Sequence, residues 1–421
     1  MTGGFTVLKN RDFSLYLCSR FLASIATQMV VMAVGWQVYH ITGRVLDLGL
    51  IGLSQFLPFL CLVLFSGHVA DQFDRRLIIV FGHCAYVVCT LLLLSFAWLN
   101  MRTIWPIFAV LAILGITRAF QMPAAQSFVP TIVAMASLRN ALAINSSANQ
   151  VAAIVGPGIG GIVYAIAESR IGQNTGAGVV YGAAAVLLSA AITLVLLIHR
   201  RRPTAGRSVL TWSTLLQGIR FVWNRKTVLG AISLDLFAVL FGGATALLPA
   251  YTRDVLHAGP DVFGYLRAAP GIGAGATALW LAFRPISRNV GVTMFAGVAA
   301  FGMATVVLGL THLFMVAMIA LVILGIGDMI SVFVRSLLVQ LQTPDEIRGR
   351  VSAVTSVFIG ASNELGEFES GTTAAWFGLV PAIVIGGVAT MIVTVLWARV
   401  FFPALWRMQT FEQGEYEPDG S

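Results

Sequence analysis

Charge is what this chain has least of. Only 10% of its 421 residues are charged, and Lys9 and Lys226 are its only lysines. A soluble domain carries about a quarter charged residues, so a chain of this composition lacks the polar surface needed to stay dissolved. No Gly-x-x-x-x-Gly-Lys loop occurs anywhere, which argues against direct drive by ATP. The four cysteines (Cys18, Cys61, Cys84, Cys89) fall inside apolar runs without metal-ligand spacing. Cys84 and Cys89 are five residues apart, on different faces of a helix and poorly placed to bridge. All the cysteines read as small packing residues. The six histidines (40, 68, 83, 199, 257, 312) are scattered. With neither a nucleophile nor a metal cluster, a membrane-embedded enzyme has no support, and no cofactor is expected.

Apolar length is what the chain has in abundance. It is 58% hydrophobic, with a mean hydropathy of +0.87. Runs of roughly 20 apolar residues, enough to cross a hydrocarbon core of about 30 Å, recur from end to end. Twelve spans are predicted, at about 13–38, 48–70, 77–99, 104–125, 141–167, 178–198, 227–250, 263–283, 289–310, 313–335, 351–370 and 377–399. On one side of them lie Lys9, Arg11, Arg75, Arg76, Arg139, the basic residues of 199–226, Arg284, Arg288, Arg348, Arg350 and Arg407. Only Arg44, Arg102, Arg170 and Arg253 lie on the other, a division of 17 basic residues against 4. The positive-inside rule then puts both termini in the cytoplasm. It also accounts for the net charge of +8 without nucleic acid. The segment Met1 to Arg11 is too polar for a signal peptide.

The longest connector divides the chain into an N-terminal bundle (1–198), a cytoplasmic linker (199–226), a C-terminal bundle (227–400) and a polar tail (401–421). Residues Thr211 to Trp223 of the linker read as a surface amphipathic helix through Trp212, Leu215, Leu216, Ile219 and Trp223. The halves repeat weakly. Arg20-Phe21-Leu22-Ala23 aligns with Asp235-Leu236-Phe237-Ala238 at an offset of 215, and Leu114-Gly115-Ile116 with Leu324-Gly325-Ile326 at 210. The expected fold is therefore an all-α membrane protein, twelve transmembrane helices in two pseudo-symmetric six-helix bundles around a central cavity.

Between spans 2 and 3 lies Gly67-His68-Val69-Ala70-Asp71-Gln72-Phe73-Asp74-Arg75-Arg76. Gly67 lets a neighbouring helix approach, Asp71 suits the positive end of another helix, and Arg75 can pair with Asp71. The stretch resembles the major facilitator superfamily signature Gly-x-x-x-Asp-x-x-Gly-Arg-(Lys/Arg), with Asp74 in place of the second glycine. In that family the cluster locks the cytoplasmic side. Gly67, Asp71, Asp74, Arg75 and Arg76 are thus expected to form a conformational latch. In span 4, Arg118 and Gln121 match the family's Arg-x-x-Gln pattern, where structural pairing and proton transfer are both open. In span 5, Gly156-Pro157-Gly158-Ile159-Gly160-Gly161 fits the Gly-Pro-x-x-Gly-Gly core of family antiporters, and Gly156, Pro157, Gly160 and Gly161 also suit close helix packing.

Three further stretches resemble the enterobactin-exporter and drug-efflux (transmembrane secretion effector) branch: Leu234 to Val255, Thr343 to Val354, and Ser362 to Gly371. The resemblance implies alternating access in a cell (inner) membrane, with a small amphiphilic organic molecule exported against protons by a monomer in the lipid bilayer. Uptake or uniport is the alternative within transport, and a non-transporting sensor is the alternative outside it.

Charges inside spans are expensive unless paired or hydrated. Arg20 and Asp235 occupy equivalent repeat positions, as do Arg118 and Asp328. Pairing across the two bundles is expected, with pairing inside each bundle as the competing arrangement. Glu364 and Glu367 lie one turn apart on span 11, placed to carry protons, contact substrate or make a structural polar contact.

Overall fold

The computed structural model describes residues 4–172, 174–199, 219–344 and 347–411, and it contains no strand among them. Twelve helical rods follow one another: α1 (Arg11–Thr42), α2 (Val45–Gln72), α3 (Arg75–Trp98), α4 (Trp105–Ile132), α5 (Met135–Arg170), α6 (Gly176–Leu196), α7 (beginning as Lys226–Phe241), α8 (Pro260–Phe283), α9 (Val290–Leu310), α10 (Phe314–Gln342), α11 (Arg348–Phe377) and α12 (Leu379–Leu396). Ten are long and apolar enough to cross a membrane. The other two are α8, which carries Asp261 and Arg267, and α11, which carries three glutamates.

Caps and breaks follow from local chemistry. Asn10 caps α1 by accepting from Asp12 N at 3.1 Å and Phe13 N at 3.3 Å, and its amide donates to Ile132 O at 2.8 Å. Gly43 ends the helix with φ +62°, the left-handed conformation glycine adopts freely. Beyond Phe241, α7 tightens through Gly243–Leu247 and widens into a π turn over Tyr251–Val255. α10 runs seven residues past its expected end at 335. The charge that reads as a boundary there, Arg335, is 2% exposed and lies inside the helix.

The expected polar tail is also corrected. Leu405, Met408 and Phe411 are buried in the core of α7, α9, α10 and α12. Gly291 N donates to Met408 O at 3.0 Å, so residues 403–411 belong to the fold. Residues 412–421 lie outside the described chain, as does most of the expected amphipathic helix. Of the latter, 219–224 are helical, with Trp223 exposed and Val222 packed among Val339 and Val351.

Two compact units emerge. The first comprises Met1–Gly43, Leu53–Val209 and Ala258–Ala268, and the second Arg44–Gly52, Leu210–His257 and Ala269–Ser421. These differ from the sequence-read bundles in two short exchanged segments, each anchored by glycine. In the first unit, a β-carbon on Gly161 of α5 would lie 3.0 Å from Cα of Gly264 of α8. In the second, one on Gly371 of α11 would lie 2.8 Å from Cα of Gly49 of α2. Gly49 and Gly264 are 215 apart, and Gly161 and Gly371 are 210 apart, the same offsets as the sequence repeat. Gly115 pressed on the Gln55 carbonyl and Gly325 on the Pro270 carbonyl form a second equivalent pair. These close backbone contacts therefore recur at matching positions in the two halves.

Gly161→Ala and Gly371→Ala should each lower the stability of the detergent-solubilised protein by about 1–3 kcal/mol, read as a fall in thermal midpoint. Gly158, which has open space at its β-carbon, should tolerate alanine.

Candidate functional site

Inside the second unit, α7 and α10 bring charges together. Asp235 (4% exposed) forms an ion pair with Arg335, and Ser331 Oγ donates to Asp235 Oδ1 at 3.2 Å. Asp328, one turn before Ser331 on α10, shares with Asp235, Ser331, Gly327 and Phe301 the wall of a cavity of about 10 Å³, room for a single water. Arg335 Nε has no partner among the described residues. The cluster holds two carboxylates and one guanidinium. The expected pairing of Asp235 with Arg20 is thereby corrected, because Asp235 is answered within its own unit by an arginine on the neighbouring helix.

Inside the first unit, the polar side chains of α1, α3 and α4 meet. Arg20 lies near the phenol of Tyr16, and Tyr16 donates to Ala125 O at 3.1 Å. Gln121 packs on Gly82, and its amide nitrogen lies 2.9 Å from His83 Nδ1 and 3.4 Å from Ile79 O. Arg118 stacks over the ring of Phe59 at 5.4 Å, a cation–π contact.

The turn between α2 and α3 has shrunk to Phe73 and Asp74. Asp74, at φ −62°, caps α3 by accepting from Arg76 N at 2.9 Å, which is why aspartate serves where the family pattern has glycine. Arg76 is buried, and its Nε donates to Val195 O at 3.0 Å and its Nη2 to Leu196 O. It closes the C-terminal end of α6. Arg75 is half-buried beside it. The side-chain positions of Gly67 and Asp71 lie outside the described residues.

In the antiporter-like motif, Gly156 and Gly160 face Gln28 and Met29 of α1, Gly161 faces α8, and the Pro157 carbonyl faces Gly264. On α11 the carboxylates of Glu364 and Glu367 converge on Gly52 of α2: a β-carbon there would lie 3.2 Å and 2.6 Å from their Oε2 atoms. Both carboxylates are half-buried.

Sequence reasoning missed Arg335, His83 and Gly52. Arg335 was readable as the residue two turns after Asp328 on one helical face. His83 and Gly52 carry no local signal, since only packing identifies them. Removing one member of the Asp235–Arg335 pair leaves a buried charge unanswered and should cost about 3–5 kcal/mol. Asp235→Leu combined with Arg335→Met should recover most of the thermal midpoint that either single change loses.

Comparison with known proteins agrees with this architecture. The profile of the transmembrane secretion effector family matches residues 2–417. The multidrug efflux pump Tap of Mycolicibacterium fortuitum is 25% identical over 416 residues, covering 92% of this chain and 97% of the pump. The enterobactin exporter EntS of Citrobacter koseri is 23% identical over 418 residues, covering 97% and 95%. Among solved structures, a bacterial homologue of the human lysosomal transporter Spinster superposes with a TM-score of 0.71 at 16% identity, over 97% of this chain and 99% of that one. With the profile spanning nearly every residue and the fold shared, the chain belongs to the transmembrane secretion effector family of major facilitator transporters.

Proposed function

We propose that this protein exports a small amphiphilic, drug- or siderophore-like organic molecule across the cell (inner) membrane in exchange for protons. It works as a monomer by alternating access, with both termini in the cytoplasm. Relatives named as a multidrug efflux pump and an enterobactin exporter support the direction and the substrate class. The distribution of basic residues supports the orientation.

The observation that carries proton coupling is the state of Asp328. Its neighbour Asp235 is committed to Arg335 and Ser331, so the guanidinium's charge is already balanced. Asp328 lines the same one-water cavity as a second carboxylate. A carboxylate in apolar surroundings favours its neutral form, and the cavity has room for one water that would give a proton a way on and off. Glu364 and Glu367, whose carboxylates converge on Gly52, supply two further groups to which a proton can bind.

Proteoliposomes with an imposed pH gradient test this reading. Asp328→Asn should cut gradient-driven flux of a transported dye by about tenfold or more, roughly 1.4 kcal/mol, while gradient-free exchange of that dye changes little. Wild-type flux indifferent to the gradient would sink proton exchange.

A further inference from the structure

A cavity of about 490 Å³ lies at the end of the first unit where α1, α3 and α5 finish and α6 begins. Its volume is within the range of small-molecule sites. Every residue that lines it belongs to the first unit, so the cavity is complete within that unit. None of the membrane-buried charges described above takes part in it.

The wall joins a fixed floor to a polar rim. Gln37 of α1 is 8% exposed, and its Oε1 accepts from the Tyr181 hydroxyl at 2.7 Å. That bond sets the carboxamide. The amide nitrogen, which has no partner among the described residues, is left to the cavity. Buried donors are nearly always satisfied, so a free one in a cavity wall points to an occupant. Tyr164 of α5 is also buried in the wall, its ring packed where a β-carbon on Gly176 would lie. On the rim, Asn100 and Asn174 hold the α3–α4 and α5–α6 turns at φ +48° and +69°, a left-handed conformation that asparagine adopts more readily than most residues. Arg102 and His40 stand exposed on the same rim.

Charge and depth together point to the occupant. No carboxylate forms part of the wall. Glu168 lies near His40 and Asn174 but outside the lining, and Arg102 makes no ion pair or hydrogen bond among the described residues. A free guanidinium suits a phosphate, which it binds through two parallel N–H groups. The three carboxamides, as donors and acceptors, suit neighbouring hydroxyls. The level of the mouth is marked by Trp98, Leu99 and Trp105, on either side of Arg102, which are 69%, 72% and 71% exposed. Trp98 is seated on α6, with its ring 2.9 Å from where a β-carbon on Gly178 would lie. Exposed tryptophans at both ends of a connector between spans belong at the headgroup level of a bilayer.

We propose that this cavity binds a phosphoglycerol group, the phosphate on Arg102 and the hydroxyls toward Gln37, Asn100 and Asn174. A bilayer offers that chemistry as the headgroup of phosphatidylglycerol, and solution offers it as glycerol phosphate. The tryptophans at the mouth favour the lipid, drawn from the leaflet opposite the basic connectors.

The test uses the full chain, purified and delipidated in neutral detergent. It is titrated with dioctanoyl phosphatidylglycerol, with phosphatidylcholine of the same chains and with glycerol 3-phosphate, and bound molecules are counted by native mass spectrometry. Phosphatidylglycerol should bind about tenfold or more tightly than phosphatidylcholine. Arg102→Gln and Gln37→Leu should each remove most of that preference. Arg170→Gln, which deletes an exposed charge at the same end but outside the cavity, should leave it within about twofold. Gln37→Glu keeps an acceptor for Tyr181 and loses the N–H donors. It should bind phosphatidylglycerol as weakly as Gln37→Leu, and it decides the matter if leucine impairs folding. Glycerol 3-phosphate binding that depends on Arg102 and Gln37, without a lipid preference, upholds the site and assigns it to a soluble phosphorylated polyol. Three results overturn the proposal: preference for neither phosphoglycerol compound, equal weakening by Arg170→Gln and Arg102→Gln, or wild-type binding by Gln37→Glu. Export is read separately by flux, and none of these outcomes bears on it.

Discussion

A charge held among apolar helices must be answered by another charge, a hydrogen bond or water, because hydrocarbon supplies none of these. The second unit answers Asp235 with Arg335 and Ser331, and much of its build follows. The pair fixes α7 against α10 and makes α10 continue past a residue that resembles a helix end. It also leaves Asp328 as the carboxylate without a guanidinium of its own. The first unit holds Arg20 against a phenol and Gln121 against an imidazole. The same requirement is met there with neutral partners, and the cationic character of the cluster survives.

Beneath this difference in charge the halves keep one scaffold. Glycines at matching repeat positions mark close backbone approaches, Gly115 with Gly325, Gly49 with Gly264 and Gly161 with Gly371. A glycine stripe lets helices come together where the hydrophobic effect offers no drive between them. The antiporter-like run on α5 is placed by this logic. Gly156 and Gly160 seat α1 while Gly161 seats α8, and Gly158 faces open space. Scaffold and chemistry are thus carried by different residues. One set is equal in the two halves and the other is inverted.

Much of this was legible in the sequence, for definite reasons. Apolar runs of membrane length force helices, so the order of the rods could be read directly. The offsets found between Arg20 and Asp235 and between Leu114 and Leu324 reappear in the glycine contacts. The partnerships of the charges were hidden. Arg335 interrupts an apolar run as the end of a span would, and the Asp235 it answers is a hundred positions away. Asp74 looked like a departure from a family pattern and is a helix cap. The last apolar residues, Leu405, Met408 and Phe411, are dispersed among polar ones, so no window flags them, yet all three are buried.

The exchanged segments have a consequence for biogenesis. The first unit includes Ala258–Ala268, so Gly161 of α5 waits for its partner Gly264 until the ribosome is well into the second half. The second unit takes Arg44–Gly52 from early in the chain and closes its core with residues 405–411. Domains made in sequence can usually fold in sequence, but here the first unit is not complete when its own half has been synthesised. The helices of the first half can pack on one another during translation, but the contacts of both exchanged segments form only after the chain has passed its midpoint.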